Sequence, residues 1–362
     1  MIVQRVVMPV TDAVSWTVVD GGVPVEPVEK YLAYLAALER SPNTVRAYAL
    51  SLKFWFEFLA AVEVDWAAVG VEDVARFVSW LRAPAANVIV LDGGTARRSP
   101  ATVNRHLAAV FGFYEHHARV GVAVAADLVA WRRVGRGSYK PLLHHVTKGR
   151  PIPTRPLKMA VIRQVPRTLE ATEVVAVLAA CERARDRCLL SLLAETGMRV
   201  GQALGLRHAD FVSRSREVHI VPRGDNANGA RAKLRSPAVV PVSAGLVRLY
   251  SDYMHAEYGA VDSDYVFVNL WAGRVGRPMT YAAVHDFVAR LQARTGIDFP
   301  LHMLRHTRAT ELIRSGMAIE VVARLLTHSS STTTSQTYVH LDVADIRDAL
   351  RRAGWDDHGT SR

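Results

Sequence analysis

The chain has 362 residues, half of them hydrophobic, which is about twice the length of a typical domain and enough for two cores. This composition excludes a chain that is disordered throughout. A formal net charge of +11 favours an acidic polymer as partner, most simply nucleic acid, although ribosomal and membrane-surface proteins are also basic. Two cysteines make neither a disulfide framework nor a zinc site, and the sequence shows no signal peptide or membrane-spanning run. We therefore expect a soluble cytoplasmic protein.

The first part of the sequence predicts a small helical domain. Residues 1–25 predict an arm or short strands, and residues 26–130 carry apolar residues at helical spacing, with a loop or hairpin over 87–98. Ser41-Pro42 and Ser99-Pro100 each predict a helix start, with serine as N-cap and proline in the first turn. Polar residues off the apolar stripes are explained either by a solvated face or by DNA contact: Asn43, Arg46, Lys53, Asn104 and Arg105.

A basic linker is predicted over residues 131–167. The sequence has no acidic residue from Leu128 to Leu169, and prolines keep the middle of this stretch extended. A basic strap between two domains suits a protein that closes around a duplex, and a solvated linker is the alternative. The predicted phosphate contacts are Arg132, Arg133, Arg136, Lys140, Lys148 and Arg150.

The second domain is predicted over residues 168–355, followed by a tail at 356–362. Its helices are expected at 171–182, 185–195, 243–257, 280–295, 302–315 and 318–327. Strands at 217–221, 231–235 and 239–242 predict a small antiparallel sheet. A short amphipathic helix from Val343 to Ala353 either caps this domain or docks on a neighbouring protomer.

The same domain holds a set of residues suited to phosphoryl transfer. Arg199 and Arg305 offer guanidinium forks that bind phosphate oxygens bidentately, and Tyr338 offers an oxygen that can attack phosphorus. Lys233, the only lysine after Lys158, can lose a proton where arginine cannot, and so suits a general acid.

Two histidines join the set. His302 lies three residues before Arg305, on the same helix face, and His328 follows at the end of the next predicted helix. His302 and His306 are also spaced like two metal ligands, but no third ligand stands at a convincing distance, so we predict no metal site.

The order Arg199, Lys233, His302-x-x-Arg305, His328 and Tyr338, with the two Ser-Pro helices, resembles the tyrosine recombinase (phage integrase) family over about residues 26–352. The resemblance implies a mainly α protein with a small antiparallel β-sheet. A helical SAM-like core-binding domain and a tyrosine recombinase catalytic domain would form a C-shaped clamp on DNA.

The resemblance also implies a mechanism and partners. Tyr338 would form a 3′-phosphotyrosyl link, Arg199 and Arg305 would clamp the phosphate, and Lys233 would protonate the leaving oxygen, with no cofactor or metal. His302 and His328 would bind the phosphate or assist proton transfer. The implied partners are double-stranded DNA of the nucleoid, accessory recombination proteins and further copies of the chain, which would be a monomer in solution and a tetramer in the synaptic complex.

Three positions depart from the family pattern, and two other functions remain open. Gln202 stands where an acidic residue is usual, Thr327 replaces the usual glycine, and Tyr338 follows His328 by ten residues, one more than the commonest spacing. The alternatives are a type IB topoisomerase-like nicking and closing enzyme and a catalytically silent DNA-binding protein. The spacing near Tyr338 resembles that of transposon-borne members.

Overall fold

A computed structural model describes residues 1–7, 14–83, 98–125, 128, 131–132, 152–153, 157–161, 167–234, 236–271 and 273–327. The chain divides into two compact units, Met1–Arg163 and Gln164–Arg362. Within the described residues, no helix is long and apolar enough to cross a membrane. The predicted insert at 87–98 lies, apart from Arg98, outside the described residues, as does the predicted helix from Val343 to Ala353.

The first unit begins with a three-stranded antiparallel sheet. Its strands, in spatial order, are β1 (Ile2–Val7), β2 (Val14–Asp20) and β3 (Val23–Pro24). Gly21 and Gly22 join the last two strands with φ of 55° and 88°, values that glycine adopts without steric cost. Val18 on β2 is fully buried in the same core as the helices that follow. Of the two predictions for this segment, the structure forms the short strands.

Among the described residues of the first unit, four α-helices follow this sheet, as the apolar spacing predicts. They are α1 (Glu26–Ala37), α2 (Pro42–Ala61), α3 (Val71–Arg82) and α4 (Pro100–Arg119). The Ser41 hydroxyl accepts a hydrogen bond from the Thr44 amide at 3.2 Å, and the Ser99 hydroxyl accepts one from the Thr102 amide at 3.3 Å. Both predicted helix starts are therefore confirmed, with proline in the first turn of each helix.

A buried hydrogen-bond chain holds the core of this helical unit. Trp55 is fully buried, and its indole N–H donates to the Tyr114 hydroxyl at 3.2 Å. That hydroxyl donates in turn to the backbone carbonyl of Trp66 at 2.9 Å. The phenol thus satisfies one buried donor and one acceptor while its ring fills the space between α2 and α4.

The second unit is mainly helical. Its helices are α5 (Ala171–Ala179), α6 (Ala184–Thr196), α7 (Val200–Ala203), α8 (Ala244–Tyr253, continued by a π-helical turn over Met254–Tyr258), α9 (Tyr281–Thr295), α10 (Leu301–Arg314) and α11 (Ile319–Leu325). A small antiparallel sheet has the order β6 (Phe211–Val212), β7 (Glu217–Ile220) and β8 (Ala238–Pro241). Helix α6 is buried along most of its length and ends at Gly197, where the candidate site begins.

The strand predicted at 231–235 is wrong. Residues 231–234 form no strand, residue 235 lies outside the described residues, and β8 pairs directly with β7. Lys233 has a φ of 53°, which a strand cannot accommodate. Ala232 is buried and Leu234 half-buried on either side of the exposed Lys233, so a turn anchored in the core produces the alternation that suggested a strand.

The predicted linker has one described pairing. Trp131–Arg132 (β4) pairs antiparallel with Ile152–Pro153 (β5), in keeping with the extended backbone that the prolines predict. Farther along, the carboxamide of Asn104 on α4 donates to the carbonyl of Met159 at 2.9 Å and accepts from its amide at 2.8 Å. This pair of bonds fixes the end of the first unit against α4.

We predict that Tyr114→Phe destabilises the first unit by about 1–3 kcal/mol, because the buried Trp55 N–H loses its acceptor. Urea unfolding followed by tryptophan fluorescence measures the change. Tyr34→Phe, on a ring that is 38% exposed, is the matched control and should change the stability little. Equal stabilities for the two variants would contradict the role of the hydrogen-bond chain.

Candidate active site

Arg305 is the most deeply buried charged residue of the predicted set. It lies on α10 and is 2% exposed. Its guanidinium donates to the backbone carbonyl of Gly197 at 2.7 Å and to that of Leu326 at 2.6 Å. These two carbonyls stand at the C-terminal ends of α6 and α11, where the helix dipole is negative. A buried cation is stable only when paired in this way, so Arg305 fixes three helices around itself.

Gly197 lets the ends of α6 and α11 lie close together because it carries no side chain. It ends α6 with a φ of 63°, in the left-handed region that favours glycine. A Cβ atom at this position would lie 2.6 Å from the Leu326 side chain. Any other residue would therefore be strained at this φ and would have to displace the buried Leu326 side chain beside the carbonyls that Arg305 binds.

Arg199 follows two residues after this glycine and precedes α7. Its backbone N–H donates to the Gln202 side-chain oxygen at 2.7 Å, and its guanidinium lies 3.4 Å from the Thr327 hydroxyl. The Gln202 amide nitrogen also donates to the Thr327 hydroxyl, at 2.8 Å. Two of the three positions that depart from the family pattern, Gln202 and Thr327, thus contact each other directly beside Arg199.

Thr327 has an unusual backbone conformation. It follows the end of α11 with a φ of 55°, the left-handed conformation in which a β-branched residue is rare. The conformation costs an L-residue roughly 1–2 kcal/mol. Thr327 is 7% exposed, and its hydroxyl oxygen accepts from both Gln202 and Arg199, contacts that offset this cost.

Lys233 projects from a turn that the rest of the unit pins in place. The Asn228 carboxamide donates to the carbonyls of Leu204 and Met279 at 3.0 and 2.7 Å and accepts from the Ala230 amide at 3.0 Å. Asn226 donates to the Ala230 carbonyl at 2.8 Å. These bonds hold the chain just before Lys233, so its exposed side chain starts from a fixed backbone.

The turn packs against the helix that follows Arg199 at one close contact. A Cβ atom on Gly201 of α7 would lie 2.8 Å from the Arg231 carbonyl and would collide with the Tyr281 hydroxyl. The absence of a side chain at Gly201 therefore sets how near the Lys233 turn comes to Arg199. Sequence reasoning missed Gly201, Asn226 and Asn228, although the Asn-Ala-Asn-Gly stretch at 226–229 is rich in turn-forming residues.

His302 lies at the N-terminal end of α10, beside the arginines. Partial burial, with the positive charges of His306, Arg305, Arg199 and Lys233, lowers the pKa of His302 to about 4. The rings of His302 and His306 meet edge to face at 4.5 Å. The imidazole is therefore neutral at pH 7, and the charges of Arg305, Arg199 and Lys233 are all close enough to act on it.

The structure thus brings together four of the six predicted catalytic residues: Arg199, Lys233, His302 and Arg305. His328 and Tyr338 lie outside the described residues. Among the residues that the structure describes, no group of three or more His, Cys, Asp or Glu could hold a metal ion.

Most of the predicted DNA-contacting residues of the first unit are on its surface. Asn43, Arg46 and Arg105 are exposed, with Arg46 stacked on Trp16 at 4.8 Å, and Lys53 pairs with Glu57 at 3.0 Å. Asn104 is half-buried and bound to the backbone, as described above. Of the linker set, Arg132 is described only as part of β4, and the remainder lie outside the described residues: Arg133, Arg136, Lys140, Lys148 and Arg150.

Comparison with protein families matches both units. Residues 167–345 match the model of the phage integrase family, and residues 28–121 match that of the phage integrase N-terminal SAM-like domain. Transposase A from transposon Tn554 of Staphylococcus aureus is 40% identical over 330 residues, 91% of each chain. Tyrosine recombinase XerD of Mycobacterium leprae is 31% identical over 333 residues, covering 89% of this chain and 94% of the relative.

Solved structures share the fold. The integrase of transposon Tn1549, solved in complex with transposon right end DNA, superposes with a TM-score of 0.61 at 14% identity, covering 91% of this chain and 99% of the other. A lambda integrase dimer bound to a core site superposes with a TM-score of 0.58 at 15% identity, covering 88% and 78%. The mainly α architecture with small antiparallel sheets is therefore that of these DNA-bound proteins.

We predict that the His302 imidazole titrates near pH 4 in the free protein, measured from its ring proton signals by NMR. Lys233→Ala removes one positive neighbour and should raise this pKa, whereas Lys158→Ala, in the first unit, should leave it unchanged. Because the folded pKa lies below the ordinary 6.5, the unfolded chain binds a proton at His302 before the folded chain does. The free energy of unfolding is therefore highest above pH 6.5 and decreases as the pH falls toward 4. A midpoint near 6.5 would contradict the arrangement.

Proposed function

Because the chain belongs to the phage integrase family and is a site-specific DNA recombinase of the tyrosine type, we propose that Tyr338 is its nucleophile. The tyrosine oxygen attacks the scissile phosphate and forms a 3′-phosphotyrosyl bond, and the 5′ oxygen leaves. A partner strand's 5′ hydroxyl reverses the step on a new end, and strand exchange results. The bond energy is kept in the protein–DNA link, so the reaction requires no ATP. The two arginines are proposed to supply the charge stabilisation for which other enzymes use a metal.

The observation that carries this proposal is that Arg305 binds the carbonyls of Gly197 and Leu326, while Arg199 and Thr327, which follow these residues, contact each other beside it. Charge grows on the non-bridging oxygens during phosphoryl transfer, and fixed donors stabilise it best because they do not have to reorganise. Arg199 and Arg305 are the proposed clamp on these oxygens. The anchoring of Arg305 by two backbone carbonyls supports this role, because the guanidinium is already oriented before DNA binds.

We propose proton-transfer roles for the remaining groups. Lys233, exposed on a pinned turn, protonates the leaving 5′ oxygen. The low pKa of His302 leaves a neutral imidazole at pH 7, which accepts a hydrogen bond, and the negative charge of a bound phosphate would raise this pKa and let the ring assist proton transfer. His328 is proposed to bind the phosphate, as the resemblance implies.

The first unit is the proposed partner of the DNA grooves. Arg105 and Arg98 line a cleft of about 170 Å³ between α2 and α4, with Phe54 at its wall and the Arg98 guanidinium 4.4 Å from that ring. Such a basic rim beside exposed Asn43 and Arg46 suits phosphate and base contact. The basic linker at 131–167 is proposed to follow the backbone, and each phosphate contact adds about one unit to the salt dependence of binding.

Assembly and setting are also proposals. Recombination of two duplexes needs four cleavages, so we propose that monomers assemble as a tetramer on nucleoid DNA in the cytoplasm, with accessory proteins. The similarity to a transposase and to XerD favours strand exchange over the nicking and closing of a topoisomerase. The similarity to the Tn554 transposase favours a mobile element.

The test uses duplex fragments from both flanks of the gene, with a nick that traps the cleaved product. Wild-type protein in EDTA should give a covalent protein–DNA adduct on SDS gels, and Tyr338→Phe should bind the same fragment without forming one. Binding by wild type without an adduct on the nicked fragment would contradict the proposal and would favour a silent DNA-binding protein.

A sulfur substitution separates the role of Lys233 from that of the nucleophile. A 5′-bridging phosphorothioate leaves as a thiolate, which needs no general acid. Lys233→Ala should therefore cleave this substrate at nearly the wild-type rate while cleaving the ordinary phosphate at least about a hundredfold more slowly. An equal loss on both substrates would assign Lys233 a different role.

A further inference from the structure

We propose that Gln202 and Thr327 form a positioning pair, which holds the Arg199 guanidinium at a fixed place beside the C-terminal end of α11. The proposal rests on the proposed function of this site and deepens it. Neither residue reacts. Their contribution is to fix where the first arginine of the clamp stands relative to the end of α11, the point from which the sequence continues to His328 and Tyr338.

Gln202 uses both ends of its carboxamide in this pair. Its oxygen accepts from the Arg199 backbone N–H at 2.7 Å, and its nitrogen donates to the Thr327 hydroxyl at 2.8 Å. The side chain is 2% exposed, so water does not compete for either bond. A carboxylate could accept at both ends but could not donate, so an amide is the group that fits the observed pattern.

Thr327 supplies the acceptor despite a strained backbone. Glycine would adopt its φ of 55° without strain, yet the residue present is β-branched and 7% exposed. The group that glycine would lack is the hydroxyl, which accepts from Gln202 and lies 3.4 Å from the Arg199 guanidinium. Backbone strain that persists beside reacting groups often indicates a functional role, and the role we propose for Thr327 is to hold Arg199 in place.

The chemistry of the pair also preserves the charge of Arg199. A hydroxyl is neutral, so it orients the guanidinium without cancelling the positive charge that the phosphate needs. A carboxylate in the same place would pair with the arginine and would compete with the phosphate for it. The pair thus orients the Arg199 guanidinium and leaves its positive charge available to the phosphate.

The experiment measures single-turnover cleavage of the nicked duplex by the full chain, with DNA affinity and melting temperature measured in parallel. Thr327→Gly relieves the strained φ but also removes the acceptor of the buried Gln202 amide, and because these two effects oppose each other the melting temperature should change little. The DNA Kd should stay within about twofold. The cleavage rate constant at saturating DNA should fall about tenfold or more, because the arginine loses its fixed orientation. Thr327→Ser keeps the hydroxyl and should restore most of the rate.

A double-mutant cycle with Gln202→Ala tests whether the two residues act as one device. The double variant should cleave no more slowly than the slower single variant, because either change breaks the same contact. Wild-type cleavage by Thr327→Gly, or single effects that multiply in the double variant, would overturn the inference. A wild-type protein that forms no adduct would overturn the proposed function and this inference with it.

Discussion

The candidate site depends on one buried cation. The guanidinium of Arg305 donates to the carbonyls of Gly197 and Leu326. Gly197 ends α6 and Leu326 ends α11, so the C-terminal ends of both helices meet at this guanidinium. The cation needs these acceptors to be stable without water, and the helix ends need a donor for their last carbonyls. The cation and the helix ends therefore stabilise each other. The same two hydrogen bonds hold the helices of the second unit together and fix the position of Arg305.

The other groups of the site are placed by contacts that converge on these helix ends. Arg199 follows Gly197 by two residues, and Thr327 follows Leu326 by one, so anchoring the carbonyls also brings Arg199 and Thr327 together. Gly201 then admits the turn of Lys233 to the same edge. Positive charge gathered in this way is costly for a folded protein, and together with burial, the larger cause, it lowers the pKa of His302. A bound phosphate would offset that cost, which agrees with the proposed role of these residues in binding the scissile phosphate.

Sequence reasoning predicted most helices correctly and could propose a set of reacting groups, because each of these has a local signal. Ser41 and Ser99 indicate helix starts because serine caps a helix N-terminus with its hydroxyl. The proposed catalytic residues from Arg199 to Tyr338 are recognisable from their residue types and their order. It failed where long-range contacts decide. The Lys233 turn alternates like a strand, and only the bonds that Asn228 makes to Leu204 and Met279 reveal that the chain is held otherwise. The contact between Gln202 and Thr327, 125 residues apart, has no local signature either.

We propose that anchoring by two carbonyls, rather than positive charge alone, makes Arg305 fit to bind the scissile phosphate. Arg305→Lys tests it most directly, because a lysine keeps the charge but its single ammonium cannot span both carbonyls and a phosphate. Measured by trapped adduct on the nicked duplex, cleavage should fall at least about a hundredfold with DNA affinity nearly unchanged. An Arg305→Lys protein that cleaves at the wild-type rate would contradict the account.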